Sequence, residues 1–115
     1  MIVIILNDSP YGNERPYNAL RLARAIVNQG ETDLRIFLQD DSVACARAGQ
    51  KTPEGFYNVE RMLKGLAKRA AISLCSTCMD ARGITDEDLI EGTKRGSTNP
   101  QLAEWVMAAD KVLVF

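Results

Sequence analysis

Two cysteines stand three positions apart in the stretch SLCSTCMDARGI, residues 73–84, directly after a short apolar run. Arg82 and Gly83 follow closely. Thiols at this spacing can hold a metal, cycle through a disulfide, carry a sulfur atom or simply pack. No histidine occurs among the 115 residues, so the commonest general base near neutral pH and the commonest transition-metal ligand are both missing. Proton chemistry must then come from Asp, Glu, Lys, Tyr or Cys.

These chemistries make different demands. Zinc needs four ligands, or three with an open position. Only Cys75, Cys78 and Cys45 are soft donors here, so no metal is expected. A thioredoxin-type dithiol matches the local context of C-x-x-C after a strand, although the motif lies far from the N-terminal part of the chain where thioredoxins carry it. Persulfide transfer needs one nucleophilic thiol and groups that stabilise the sulfur anion. Cys75 stands where a strand passes into a helical turn, and free N–H groups at such a turn favour the thiolate. Arg82 lies seven residues on and can turn its guanidinium toward the same anion, or pair at the surface with Asp80 or Asp86. Gly83 permits a tight reversal. The bland reading of Cys75 is a small buried hydrophobe.

The thiols must be positioned by the rest of the chain. IVIIL at Ile2 to Leu6 is apolar without alternation, the pattern of a parallel strand covered on both faces. A helix is expected next, with Asn13 as cap, Pro16 in its first turn, and an apolar face of Ala19, Leu22, Ala23, Ile26 and Val27, ending at Gly30. DLRIFLQD reads as a second strand, followed by a longer connection. A second helix is expected from about Phe56 to Lys68, with Phe56, Val59, Leu63 and Leu66 as its buried stripe. AAISLC is a third strand ending at the first thiol. Thr85 can cap a further helical turn rich in acids. A last helix after Pro100 carries Leu102, Trp105, Val106 and Ala109, and KVLVF closes the chain as a strand.

Strands alternating with helices predict an α/β fold with helices on both sides of a parallel sheet. No repeat or linker interrupts the pattern, so residues 1–115 read as one domain, and 46% hydrophobic residues supply an ordinary core for that size. Ligands of such sheets bind beyond the carboxyl ends of the strands. That places Asp8 and Ser9, after the first strand, on a loop facing the thiols. A net charge of −1 without clustered Lys and Arg argues against nucleic acid as a partner. No segment has the length of a membrane-spanning helix and no signal peptide is evident, so a cytoplasmic protein with reduced thiols is expected.

The chain resembles the DsrE/DsrF-like (YchN-like) family of small sulfur-handling proteins. The resemblance rests on NDSPYGNERPYNALRLA, FLQDDSVACARAGQ with TPEGFYN, CSTCMDARGI, LIEGTKRGS and LAEWVMAADKVLVF, in that order and spacing. It implies a three-layer α/β/α sandwich with a mainly parallel sheet of four to five strands, and assembly into homo-oligomers, trimers or hexamers. It further implies a cysteine that carries a persulfide in sulfur relay between a protein donor and a protein acceptor, without a cofactor. Counted back from the Arg-Gly pair, that cysteine falls on Cys75. Cys78 is shared by part of the family and would either resolve the persulfide as an internal disulfide or pack. Two alternatives stay open: a non-catalytic oligomeric binding module, and a dithiol redox protein using Cys75 and Cys78.

Overall fold

A computed structural model describes residues 1–115. Five strands form one sheet: β1 (Ile2–Leu6), β2 (Leu34–Leu38), β3 (Ala71–Cys75), β4 (Thr93–Gly96) and β5 (Lys111–Val114). Their spatial order is β4-β3-β2-β1-β5, and every pairing is parallel. Four helices cover the sheet: α1 (Arg15–Asn28), α2 (Val59–Leu66), α3 (Ser76–Ala81) and α4 (Ala103–Ala108). The apolar stretches at the central strands form there because they are covered on both faces. No helix is long and apolar enough to cross a membrane.

The two faces of the sheet are unequal. One carries the main core, in which Ile4, Leu6, Ile36, Leu38 and Leu74 pack under α1 and α2. The opposite face carries a small cluster of Val3, Ile5, Phe37, Cys75, Leu102 and Trp105. Trp105 meets Phe37 edge-on at 6.3 Å between ring centroids, and Arg35 lies over the Trp105 ring. Only α4 and the kinked segment before it, Thr98–Leu102, cover this side. Val112 and Val114 of β5 pair with Val3 and Ile5 in register, lie on this same thinly covered face and stay exposed.

β4 has no counterpart in the sequence reading. Its residues, TKRG, are polar, because an edge strand is paired on one side only and needs little apolar character. Phe56 does not belong to the stripe of α2: the helix starts at Val59, capped by the Asn58 side chain, and Phe56 is 68% exposed on the preceding loop. Leu22 likewise points outward from α1, since its neighbours Ala19, Leu20, Ala23 and Val27 already fill the buried side. The acidic stretch after Thr85 makes only a single turn, Asp86–Asp88, in which the Asp88 carboxylate accepts from the Thr85 backbone N–H.

The loop entering α2 is held from below. Glu60 is buried and accepts from the backbone N–H of Gly49 and Gln50 at 2.9 and 2.8 Å. Burial pushes its carboxyl up, but Lys64 and those N–H donors hold it below the usual carboxylate range. Tyr11 ties the loop after β1 to the same place, donating to Gln50 and accepting from Val59 N.

Gly96, at the end of β4, sits opposite Cys75 in register and leaves room for the Ser73–Gln101 hydrogen bond of 2.7 Å. A Cβ at Gly96 would collide with both Ser73 Oγ and Gln101 Oε1. Gly96→Ala is therefore expected to lower stability by about 1–3 kcal/mol, the cost of overpacking a closed site. Chemical denaturation checks this, with Gly83→Ala expected to show backbone strain instead, because Gly83 has φ 64° in open space.

Candidate functional site: the thiol pair at the end of β3

β3 ends at Cys75, and α3 begins at the next residue, so Cys75 caps the helix with its own side chain. Its Sγ accepts from the Cys78 backbone N–H at 3.3 Å and lies 3.2 Å from the Thr77 hydroxyl. The residue is buried against Phe37 and Trp105. Burial pushes the thiol up; hydrogen bonds from the Cys78 thiol, the Thr77 hydroxyl and the two backbone N–H groups outweigh it, and the Cys75 pKa falls below the ordinary value. Cys78 moves the other way. Burial and the neighbouring Cys75 raise it, while the Asp40 N–H and Arg82 oppose the rise. One thiol is thus biased toward the anion and the other toward the neutral donor that bonds to it.

The loop after β2 completes the surroundings. Asp40 takes a left-handed conformation, φ 55°, that is strained for a residue other than glycine though tolerated by aspartate. This turns its N–H onto Cys78 Sγ at 3.2 Å. The Asp40 carboxylate then meets Arg82 at 3.0 Å, and Asp41 meets the same guanidinium at 2.8 Å. Arg82 also donates to the Cys78 carbonyl at 3.0 Å, so it clamps α3 to the loop after β2.

The structure brings together Cys75, Cys78 and Arg82, but not in the expected arrangement. Arg82 faces Asp40 and Asp41 and donates to the Cys78 carbonyl, and none of its hydrogen bonds goes to Cys75. Its other expected partners, Asp80 and Asp86, are taken by Arg95 at 2.9 and 3.0 Å. Gly83 closes α3: Ile84 N bonds to Met79 O, Gly83 N bonds to Asp80 O, and Ile84 and Met79 join the same core cluster. Asp8 and Ser9 are not brought to the thiols. β2 lies between β1 and β3, so the two strand ends are about 10 Å apart. Asp8 pairs instead with Arg15 at 3.1 Å, and Ser9 bonds weakly to the Tyr11 carbonyl. Cys45 is buried and donates to the Asp8 carbonyl, and burial pushes its thiol up to about 12.

Sequence reading missed two contributors. Asp40 is an ordinary loop acid until its φ is known. Arg95 donates to the Ser76 carbonyl and hydroxyl as well as to Asp80, so it grips both ends of α3. Without β4 as a recognised strand, nothing in the sequence aims Arg95 at that helix.

A profile of the DsrE/DsrF-like family matches residues 1–115. The chain belongs to the DsrE/DsrF-like family. It is 47% identical to protein YchN of Escherichia coli, over 99% of this chain and 97% of that one. The crystal structure of ychN protein from E. coli superposes with a TM-score of 0.93 at 46% identity, covering 99% of this chain and 97% of the other. A Vibrio parahaemolyticus protein named sulfurtransferase TusD homolog is 32% identical over 92% of this chain and 81% of its own length. The fold of this family member is therefore the three-layer α/β sandwich.

Two outcomes follow from the geometry. Removing the guanidinium in Arg82→Ala is expected to raise the Cys78 pKa further while leaving Cys75 nearly unchanged, with partial recovery in Arg82→Lys; alkylation rate against pH, mapped for each cysteine, checks it. Cys45 supplies a second. A thiol whose folded pKa lies above its unfolded value of about 8.5 favours the fold below that pH, and the advantage drains as pH rises toward about 12. Between those limits this residue contributes a loss on the order of 1.4 kcal/mol per pH unit. The difference in alkaline unfolding between the native chain and Cys45→Ala measures that slope.

Proposed function

We propose that this protein carries sulfur as a persulfide on Cys75, receiving it from a protein donor and passing it to a protein acceptor in the cytoplasm. The observation that carries this reading is the pair of donors on Cys75 Sγ, the Cys78 N–H at 3.3 Å and the Thr77 hydroxyl at 3.2 Å, which favour the reactive thiolate without a histidine. The Cys75 thiolate attacks the outer sulfur of a donor persulfide, R–S–SH. A Cys75–S–SH bond forms, the donor S–S bond breaks, and the donor leaves as R–S⁻. An acceptor thiolate then takes the terminal sulfur, forming R′–S–SH and restoring the Cys75 thiolate.

Cys78 supplies the resolving branch. Its thiol lies near Cys75 and is biased toward the protonated form, so it first gives its proton to solvent, and the resulting Cys78 thiolate attacks the inner sulfur of the persulfide. That step forms a Cys75–Cys78 disulfide and releases HS⁻, so a reductant is needed to reset the pair. The proximity of the two sulfurs supports this branch and keeps the dithiol chemistry as a side reaction of the same site. The exposed Val112, Val114 and Met107 support assembly with further copies through the thin face of the sheet. Asp8, Ser9 and Gly83 enter this reading only as the surrounding loops and the cap of α3.

Incubation with a small persulfide donor, followed by intact mass and peptide mapping, tests the proposal. One added sulfur atom on Cys75 is expected, absent in Cys75→Ser and longer-lived in Cys78→Ser. Sulfur appearing on Cys78 alone, or on no cysteine of the folded chain, would overturn it.

A further inference from the structure

Four arginines line one groove on the outer surface of α1 and α2: Arg21 and Arg24 from α1, Arg61 and Arg69 from α2 and the turn after it. None of them has a carboxylate partner. Arg21 donates only to Asn18 and lies over the Tyr17 ring, and Arg69 donates only to Asn28 Oδ1 and the Val27 carbonyl. The Arg24 and Arg61 guanidiniums make no hydrogen bond at all within the chain. By contrast Arg15, Arg35, Arg82 and Arg95 are each ion-paired. The chain has a net charge of −1, yet this groove gathers four positive charges and no negative one.

The groove bottoms on the core residues Leu20 and Val27 of α1 and Leu66 of α2, which are buried and show only their edges, with Met62 of α2 the one partly exposed apolar side chain among them. Gly65 completes it. Glycine is among the least favourable residues inside a helix, so its presence in α2 calls for a reason. Packing does not provide one, because a Cβ at Gly65 would meet nothing within 4 Å. What the missing side chain does is leave the groove open beside Met62 and Leu66.

We infer that this groove docks an acidic amphipathic helix of a partner protein, its carboxylates on the arginine rim and its apolar stripe on the floor. Three features select that occupant. The cavity is about 270 Å³, small for enclosing an organic ligand of ordinary size but adequate for a few apolar side chains presented from outside. Leu20 to Val27 spans about 10 Å along α1, or about two helical turns. Guanidinium forks match carboxylates in two-pronged pairs, and a helix laid in a groove offers them on both flanks of its stripe. The groove lies on the α1 and α2 side of the sheet, and Cys75 packs on the other. Docking here tethers a partner without covering the thiol, and it stands independently of the persulfide reading.

The probe is a dye-labelled alanine-based helical peptide carrying glutamates on both sides of a leucine stripe. Anisotropy with the full chain should show binding that weakens severalfold as salt rises to about 0.15 M. Amide shift changes should concentrate at Leu20–Val27 and Arg61–Arg69. Arg24→Glu combined with Arg61→Glu should weaken binding at least tenfold. Gly65→Gln should do the same by filling the groove, without lowering the melting temperature, and sulfur loading of Cys75 should be unaltered in both. Equal binding of the lysine-for-glutamate or serine-for-leucine peptide overturns the inference. So does no binding, preferential binding of a short oligonucleotide, or the same shift changes produced by inorganic phosphate alone.

Discussion

Leu38 pairs with Leu74 in the parallel register between β2 and β3, and the arrangement of the thiols depends on that pairing. It sets the carboxyl ends of the two strands side by side, so the chain leaving β2 runs across the first turn of α3. Asp40 can then reach Cys78 through its N–H, and Asp40 and Asp41 can reach Arg82 through their carboxylates. A slip of one residue would send the side chains of β3 to the opposite faces and bury Cys75 in the main core. The strong apolar pattern of both strands makes such a slip costly. The chemistry therefore inherits its precision from hydrophobic register rather than from the polar contacts around the sulfurs.

Those polar contacts divide labour between two cysteines of the same type. Cys75 sits at the helix start, where backbone N–H groups have no partner of their own and a sulfur anion is a good acceptor. Cys78 sits one turn on, beyond those free donors. The two thiols interact, so the proton they share belongs to the pair, and the bias toward Cys75 as the anion comes from which sulfur the backbone donors face. Arg82 and Arg95 contribute by holding α3 in place. Each anchors to carboxylates and to a backbone carbonyl of the helix, which keeps a helix of six residues, too short to be stable alone, in a fixed pose.

The uneven sandwich has a related cause. α1 and α2 follow long apolar-patterned segments and bury one face completely, whereas the other face is covered by the short α4 and a kinked approach to it. Trp105 compensates by size, spanning from Phe37 to Arg35. The valines of β5 are left open, and this is the side of the sheet on which Cys75 lies. The arginine groove occupies the opposite, well-packed side, so the two surfaces of the molecule are free to serve different partners.

Much was legible before folding. The apolar runs of β1, β2 and β3, Pro16 in the first turn of α1 and the position of the C-x-x-C motif at a strand end are all local properties of the chain, and local patterning specifies them; Asn13 is not the cap of α1, since the helix is entered at Glu14 and Asn13 Oδ1 only accepts from the Arg15 N–H. The α/β class and the candidate thiols followed from these local properties. The direction of Arg82 did not, because an arginine side chain reaches several acids and only the proximity of the β2 loop selects Asp40 and Asp41. β4 was invisible for a similar reason: TKRG is a strand only because β3 offers it an edge. Phe56 looked like the first residue of an apolar stripe, but Asn58 caps the helix after it and leaves the ring outside. Asp8 and Ser9 were assigned to the thiols by analogy of strand ends, and strand order, a non-local property, separated them. Sequence determined which residues could do chemistry; the order and register of the sheet decided which of them meet, since those depend on contacts between segments far apart in the chain.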